Sequence, residues 1–374
     1  MADYRLRPSA ASTWVRCSGF VRLAADVPEW QEDDSVEVRE AGTACHWAAY
    51  RASQGADIPA LLGETAPNGV EIDDDMLEAV DLYRDAVAAW PTAAIRYFEQ
   101  PVHCADIHPE CGGTPDVFAW DAATRTLYIG DLKYGFRFVA ADGNWQLVCY
   151  VSGVMRFFML RPEDVNHVVL MICQPRNPQG GGPIRDWVAT PADLMPYWHQ
   201  LQAAAIVALS NEAICTTNPG CAQCGAAGVC PALDAAALTV LDVSTRATPH
   251  DLTFTDAERQ LRYLQWAESV VTARREALEQ QVAHGIKKGK ISKHYEVEQQ
   301  YSRLKWNEGT RPNVEAMAAL MGVSVQKPVQ LITPTQAKKV LGDDVVSLFA
   351  QRLPGGLKLV NSDANKWRRI FGKP

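Results

Sequence analysis

The 374-residue chain has no run of eighteen or more apolar residues, so it offers no candidate membrane-spanning helix. Its first residues, Met1-Ala-Asp-Tyr-Arg5, lack the apolar core of a secretory signal. Internal repeats and low-complexity tracts are also missing. Hydrophobic residues make up 47% and charged residues 21%, the proportions of a chain that folds around a sizeable core. Disordered and collagen-like classes are therefore excluded. The expectation is a soluble, cytoplasmic protein of one large domain or two ordinary ones.

An overall basic excess is missing too, since the net charge is −8. The charge is unevenly placed, however. Gly285 to Pro374 holds 16 basic and 7 acidic residues, leaving 20 of the 36 basic and 37 of the 44 acidic groups for the rest. Such asymmetry marks either a basic segment that contacts nucleic acid or a solvated basic surface. Lys287, Lys288, Lys290 and Lys293 lie beside Tyr295, Tyr301 and Trp306. Positive charge interleaved with aromatics can follow a phosphate backbone and stack bases, or the rings can simply be buried.

What the chain has in abundance is cysteine, ten in all. In a reducing compartment these are expected as buried thiols or metal ligands rather than disulfides. Cys45, Cys104, Cys111, Cys149 and Cys173 are scattered through apolar or periodic segments and read as core thiols. Cys215, Cys221, Cys224 and Cys230 instead crowd one Gly-containing loop.

Periodicity predicts helices over Ser9–Leu23, Val36–Ala52 and Asp73–Trp90, the last opened by acidic residues that favour a helix N-terminus. Strands follow at Ile95–Val102, Thr114–Trp120 and Thr126–Lys133, as a meander. A helix over Asn144–Phe158, a buried strand over Val165–Gln174 and a helix over Pro191–Asn211 complete an α/β arrangement with a mixed central sheet flanked by helices. The first domain is expected to span residues 1–238, closed by the cysteine loop, with a linker over 239–254. A mainly helical region over 255–374 follows, opened by a capping box at Thr255–Glu258 and a helix to about Gln281. On that helix Leu264, Val271 and Leu278 mark either a coiled seam or the face that packs on the body. Tyr295–Trp306 reads as strand, Val314–Met321 and Thr333–Leu341 as helices.

The sharpest chemical signal is on the middle strands. In Asp131-Leu-Lys133 the first and third side chains share one strand face, and Asp116 on the neighbouring strand can reach the same point. Two such carboxylates bind a hard divalent cation through oxygen. A nearby lysine can orient a water and stabilise charge on a phosphate, which is the equipment for metal-assisted phosphodiester hydrolysis. Alone, Asp-x-Lys is equally an ion pair at an exposed strand end. Its companions are His46 on a preceding helix, Glu99 on the preceding strand, and Gln146 and Tyr150 at i and i+4 on one face of the following helix.

This combination resembles the PD-(D/E)XK (restriction-endonuclease-like) superfamily, in particular its RecB-like branch. The branch carries a helix histidine, a Gly-x-x-Asp strand (here Gly113-Thr-Pro-Asp116), Asp-x-Lys and a Gln-x-x-x-Tyr helix, in this order. A closer resemblance is to a phage- and prophage-borne family within that branch, which implies exonuclease activity. It is carried by Ser9–Cys17, Glu40–His46, Asp131–Gly135, Asn144–Leu147, Gln174-Pro-Arg176, the cysteine loop, Leu304–Trp306 and Thr333–Lys339. The resemblance implies that His46, Asp116, Asp131 and the Leu132 carbonyl ligate Mg²⁺ or Mn²⁺. It makes Lys133 catalytic, lets Glu99 support the metal through water, and has Gln146 and Tyr150 position DNA or brace the site. Glu40 is either a ligand, a partner of His46 or a solvated glutamate.

Cys221, Cys224 and Cys230 supply three thiolates, and four-thiolate sites suit zinc or an iron–sulfur cluster. The fourth ligand is either local Cys215 or distant Cys17. RecB-like nucleases with an iron–sulfur staple resemble the second arrangement, which implies a [4Fe–4S] cluster on Cys17, Cys221, Cys224 and Cys230. The alternative is zinc on Cys215, Cys221, Cys224 and Cys230. The expected function is thus metal-dependent DNA cleavage, as an exonuclease acting on DNA ends in phage recombination or replication, within a bacterial host. DNA, and a phage recombination or single-strand-binding protein, are the partners implied. The rival is a non-catalytic DNA-binding scaffold on a nuclease fold stapled by zinc.

Overall fold

A computed structural model describes residues 4–25, 36–177, 182–244, 253–301, 305–306, 310–325, 337, 341–351 and 354–361. The chain divides into two compact units, Met1–Ala277 and Leu278–Pro374.

The first unit is built on a five-stranded mixed sheet. Its strands are β1 (Ile95–Phe98), β4 (Val117–Asp121), β5 (Thr126–Leu132), β6 (His167–Cys173) and β7 (Ile184–Ala189), in the order β1-β4-β5-β6-β7. β1, β4 and β5 form the expected antiparallel meander, β6 joins β5 in parallel, and β7 returns antiparallel. The short pair β2 (Val102–His103) and β3 (Gly112–Gly113) lies between β1 and β4 in sequence.

Alternation along β4 and β5 feeds two cores. Phe118, Leu127 and Ile129 enter one with the helices α5 (Trp145–Phe157) and α6 (Pro191–Leu209). Val117, Ala119 and Leu132 enter the other with α3 (Val36–Ser53) and α4 (Asp74–Ala88). A parallel β5–β6 pair buried on both faces explains the continuous apolar run of β6. Local chemistry sets the helix starts: Asp73 caps α4 by accepting from the Met76 N–H at 2.9 Å, and Asn144 caps α5 by accepting from Gln146 and Leu147. Both use a side-chain oxygen to satisfy first-turn donors.

Several expectations change. The single helix over Ser9–Leu23 is two short helices, α1 (Ala11–Trp14) and α2 (Phe20–Ala24). Gly19, at the start of the second, lies so close to Cys215 that a Cβ there would be 2.6 Å from the Cys215 backbone nitrogen. Strand β7 was not expected; its Arg185 and Asp186 disguise a sheet-edge strand as loop. The linker expected over 239–254 begins inside a helix, α7 (Pro231–Ser244), and residues 245–252 lie outside the described residues.

The first unit also runs past residue 238, because Cys221, Ala227 and Leu233 pack on Val270, Ala273 and Ala277 of α8 (Phe254–Lys287). Arg274 ties the same parts together at 2.7 Å from Asp234. That packing face is not the heptad set, since Leu264, Val271 and Leu278 are exposed.

The second unit contains α9 (Arg311–Leu320), α10 (Asp343–Ser347) and two antiparallel pairs, β8 (Tyr295–Tyr301) with β11 (Pro354–Asn361) and β9 (Lys305–Trp306) with β10 (Ala350–Gln351). Val314, Ala318, Leu341 and Val346 form its core. The helix expected over Thr333–Leu341 lies outside the described residues except at 337 and 341.

Candidate metal centre and cysteine pocket

Register brings the acidic site together. Val117 pairs with Gly130, which sets Asp116 beside Asp131. The Leu132 N–H donates to Asp116 Oδ2 at 2.6 Å. Asp116 Oδ1 faces His46 Nδ1 of α3 at 3.3 Å. Glu99 follows β1 and hydrogen-bonds through its N–H to the Asp116 carbonyl at 3.0 Å. Its backbone is left-handed, with φ of 47°, a conformation a non-glycine residue holds only when the surroundings enforce it.

His46, Glu99 and Asp116 each offer one ligand atom, all within 4.8 Å of one another. This donor set suits a divalent cation. Burial pushes the Glu99 carboxyl up to about 7, helped by Asp116. Burial lowers the His46 pKa, but the Asp116 carboxylate outweighs it and raises it to about 9. Crowded carboxylates of this kind are what a cation relieves. The resemblance implies a water-mediated role for Glu99, and nothing in the sequence pattern signals its left-handed backbone.

Asp131 lies behind this trio, almost completely buried, and pairs with the half-buried Lys133. Lys133 Nζ is 2.8 Å from Asp131 Oδ2 and donates to Asp131 Oδ1 at 3.1 Å. It also donates to Gln146 Oε1 at 3.0 Å, while Gln146 Nε2 donates to Asp131 Oδ1 at 2.7 Å. Asp131 Oδ2 is buried against the Lys133 ammonium. Burial works against the charged Lys133, but Asp131 and Asp116 outweigh it and raise its pKa, so the ammonium persists. Tyr150 is buried and donates to the Thr114 carbonyl at 3.0 Å. It braces the Gly113–Asp116 segment. Glu40 lies elsewhere, its carboxylate accepting from Asn68 at 2.6 Å.

Cys17, Cys215, Cys221, Cys224 and Cys230 line one small pocket, with Thr13, Phe20 and Leu233. Cys17 reaches it from the break between α1 and α2. The Thr216 N–H points at Cys17 Sγ at 3.5 Å and the Asn218 N–H at Cys221 Sγ at 3.3 Å. Both candidate fourth ligands are therefore present.

The cysteines expected as scattered core thiols are all buried, but three of them are not scattered. The sulfurs of Cys104, Cys111 and Cys149 lie within 4.8 Å of one another, a group that could also take a metal. Lys287, Lys288, Lys290 and Lys293 are exposed where α8 ends and in the turn before β8.

No helix among the described residues is long and apolar enough to cross a membrane. Fold and site together define an α/β protein with a mixed five-stranded sheet and a His–Glu–Asp group able to bind a metal beside a buried Asp–Lys–Gln cluster. The family described as "Protein of unknown function (DUF2800)" matches residues 4–366, and the chain belongs to that family.

Proposed function

We propose that this protein is a divalent-metal-dependent DNA nuclease of the PD-(D/E)XK, RecB-like type, acting as an exonuclease on DNA ends in phage recombination or replication. The observation that carries the reading is Lys133 fixed between Asp131 and Gln146, next to the group of His46, Glu99 and Asp116. A simple ion pair at a strand end needs neither the buried glutamine nor the crowded carboxylates beyond it.

His46, Glu99 and Asp116, with Asp131 and the Leu132 carbonyl at their edge, would hold Mg²⁺ or Mn²⁺. When bound, such a cation neutralises phosphate charge and makes water a better nucleophile at neutral pH. The protein's own part is electrostatic and positional. Lys133, held as an ammonium, stabilises charge that develops on the phosphate oxygens. Asp131 and Gln146 fix its direction, and Tyr150 holds the strand that carries Asp116.

The cysteine pocket is read as a structural [4Fe–4S] site on Cys17, Cys221, Cys224 and Cys230. Zinc on Cys215, Cys221, Cys224 and Cys230 is the alternative, since Cys215 lines the same pocket as the other four.

The test is digestion of end-labelled linear DNA and closed circular DNA with Mn²⁺ or Mg²⁺. Metal-dependent loss of linear DNA only is expected, and EDTA abolishes it. An intact, cofactor-loaded protein that leaves all DNA uncut would overturn the reading in favour of a non-catalytic scaffold.

A further inference from the structure

The chain between Lys133 and Gln146 has no part in the chemistry above. Because those two side chains meet at 3.0 Å, residues 134–145 leave the site and return to it. On this excursion Phe136 and Phe138 expose 50% and 41% of their surface, with exposed Arg137 between them. Single exposed phenylalanines need no explanation. What distinguishes this pair is how firmly the backbone beneath it is held.

Gln174 is fully buried and holds the loop with both ends of its amide, its Oε1 also accepting from Arg185 at 2.6 Å. Its Nε2 donates to the Gly135 carbonyl at 2.9 Å and to the Arg137 carbonyl. Its Oε1 accepts from the Val139 N–H at 3.0 Å. Asn177 donates to the Phe136 carbonyl at 2.8 Å, and the buried Arg185 donates to the Val139 carbonyl at 3.1 Å. Guanidinium groups also support the rings. Arg176 lies 3.6 Å from the Tyr134 centroid and 4.8 Å from that of Phe136, and Arg185 lies 4.8 Å from that of Phe138.

Charge completes the pattern. Arg137 has no carboxylate partner among the described residues, and burial together with neighbouring Arg16 depresses its pKa. Like charges left together at a surface favour an anionic visitor.

We infer that Phe136 and Phe138 form a preset stacking platform for the bases of a single DNA strand whose scissile phosphate lies at Lys133, with Arg137 on the adjoining backbone. The inference rests on the nuclease reading and narrows its substrate to single-stranded or frayed DNA. Reach is adequate. Three and five residues at no more than about 3.6 Å each keep the Cα atoms of Phe136 and Phe138 within about 11 and 18 Å of that of Lys133, a span of a few nucleotides. Aromatic faces stack on any base once it is unpaired, and rings already held in place lose little freedom on binding.

The test uses the full chain and single-stranded oligonucleotides carrying 2-aminopurine near one end. Binding is read in EDTA and cleavage in Mn²⁺, for the wild type, the Phe136→Ala/Phe138→Ala double variant and the Phe136→Trp/Phe138→Trp pair. The expected result is that stacking quenches the probe in the wild type and the Trp pair. The Ala pair loses the quenching and about tenfold or more in affinity and in kcat/KM. If the wild type cleaves DNA while the Ala pair quenches and cleaves equally well, the platform is overturned and the nuclease reading stands. If the wild type neither binds nor cleaves DNA, the nuclease reading fails and takes the platform with it.

Discussion

Gln146 bridges Asp131 and Lys133, accepting from the lysine at 3.0 Å and donating to the carboxylate at 2.7 Å. Its position is set two residues earlier, where Asn144 caps α5 and accepts from the Gln146 N–H. A helix start and a strand end are thereby locked into one cluster. In the proposed mechanism Gln146 is a positioning residue. Gln146→Ala should lower kcat by about 10- to 100-fold with little change in KM. Gln146→Glu keeps an acceptor for Lys133 but sets a carboxylate against Asp131, so it should not restore the rate. A rise in KM alone would assign Gln146 to substrate binding instead.

Lys133 and Asp131 bear the charge. Lys133→Met and Asp131→Asn nearly conserve volume, so each should keep the far-ultraviolet circular dichroism of the wild type. Metal-dependent cleavage should fall by about a hundredfold or more in each, the usual cost of losing a charge-stabilising group. Cleavage within a few-fold of wild type by either variant would remove the residue from the proposed chemistry.

The cysteine pocket makes a separable prediction. A cluster held by Cys17 and the later trio closes a loop of roughly two hundred residues, worth about 5 kcal/mol by the entropy of loop closure. Cys17→Ser, Cys221→Ser, Cys224→Ser and Cys230→Ser should each lose the visible iron–sulfur absorption and lower Tm. Cys215→Ser should retain both. Loss of cofactor in Cys215→Ser with retention in Cys17→Ser would exchange the fourth ligand.

The meander, the strand β6 and the helices α3 to α6 were legible because each has a clean period or a capping residue. Three features were not. β7 mixes Arg185 and Asp186 into its alternation, since it closes the edge of the sheet and holds a loop as well. Glu99 gave no sign of its left-handed backbone, which only the pairing of β1 with β4 imposes. The grouping of Cys104, Cys111 and Cys149 depends on where the β2–β3 pair meets α5, a long-range contact with no local pattern. By contrast strand and helix periods predict that Asp131 and Lys133 share one face and Gln146 and Tyr150 another, while the resemblance to RecB-like nucleases is what adds His46 and Asp116 to them.

Gly130 precedes Asp131 and has no room for a side chain. A Cβ there would lie 2.8 Å from Met171 Cε, 2.9 Å from Val117 Cγ1 and 3.3 Å from Trp90 Cη2. The methionine end can move, but the valine on the paired strand cannot move without disturbing the register that sets Asp116 beside Asp131. Gly130→Ala should therefore destabilise by about 1–3 kcal/mol, read as a lower midpoint in urea. Combining it with Met171→Ala should recover only part of the loss. Unchanged stability in Gly130→Ala would mean that the sheet has more slack than these distances allow.

Glu99 links stability to metal. Its carboxyl titrates at about 7 against an ordinary value of 4.5, first because of burial and then because of Asp116. A carboxyl whose pKa is raised by folding binds its proton more tightly in the folded state. The metal-free protein should therefore lose stability as pH rises from about 4.5 to 7 through this group, the reverse of a salt-bridged acid. Glu99→Gln removes the ionisable group, so in EDTA at pH 8 its Tm should exceed that of the wild type. Mn²⁺ reverses the order. A cation binding only the folded wild type adds about 2.7 kcal/mol at a hundred times its Kd, whereas the variant, short of one ligand, should respond weakly. Thermal unfolding across a Mn²⁺ series checks both halves. Parallel curves for the two proteins would show that Glu99 holds no metal, leaving its left-handed backbone a feature of the turn alone.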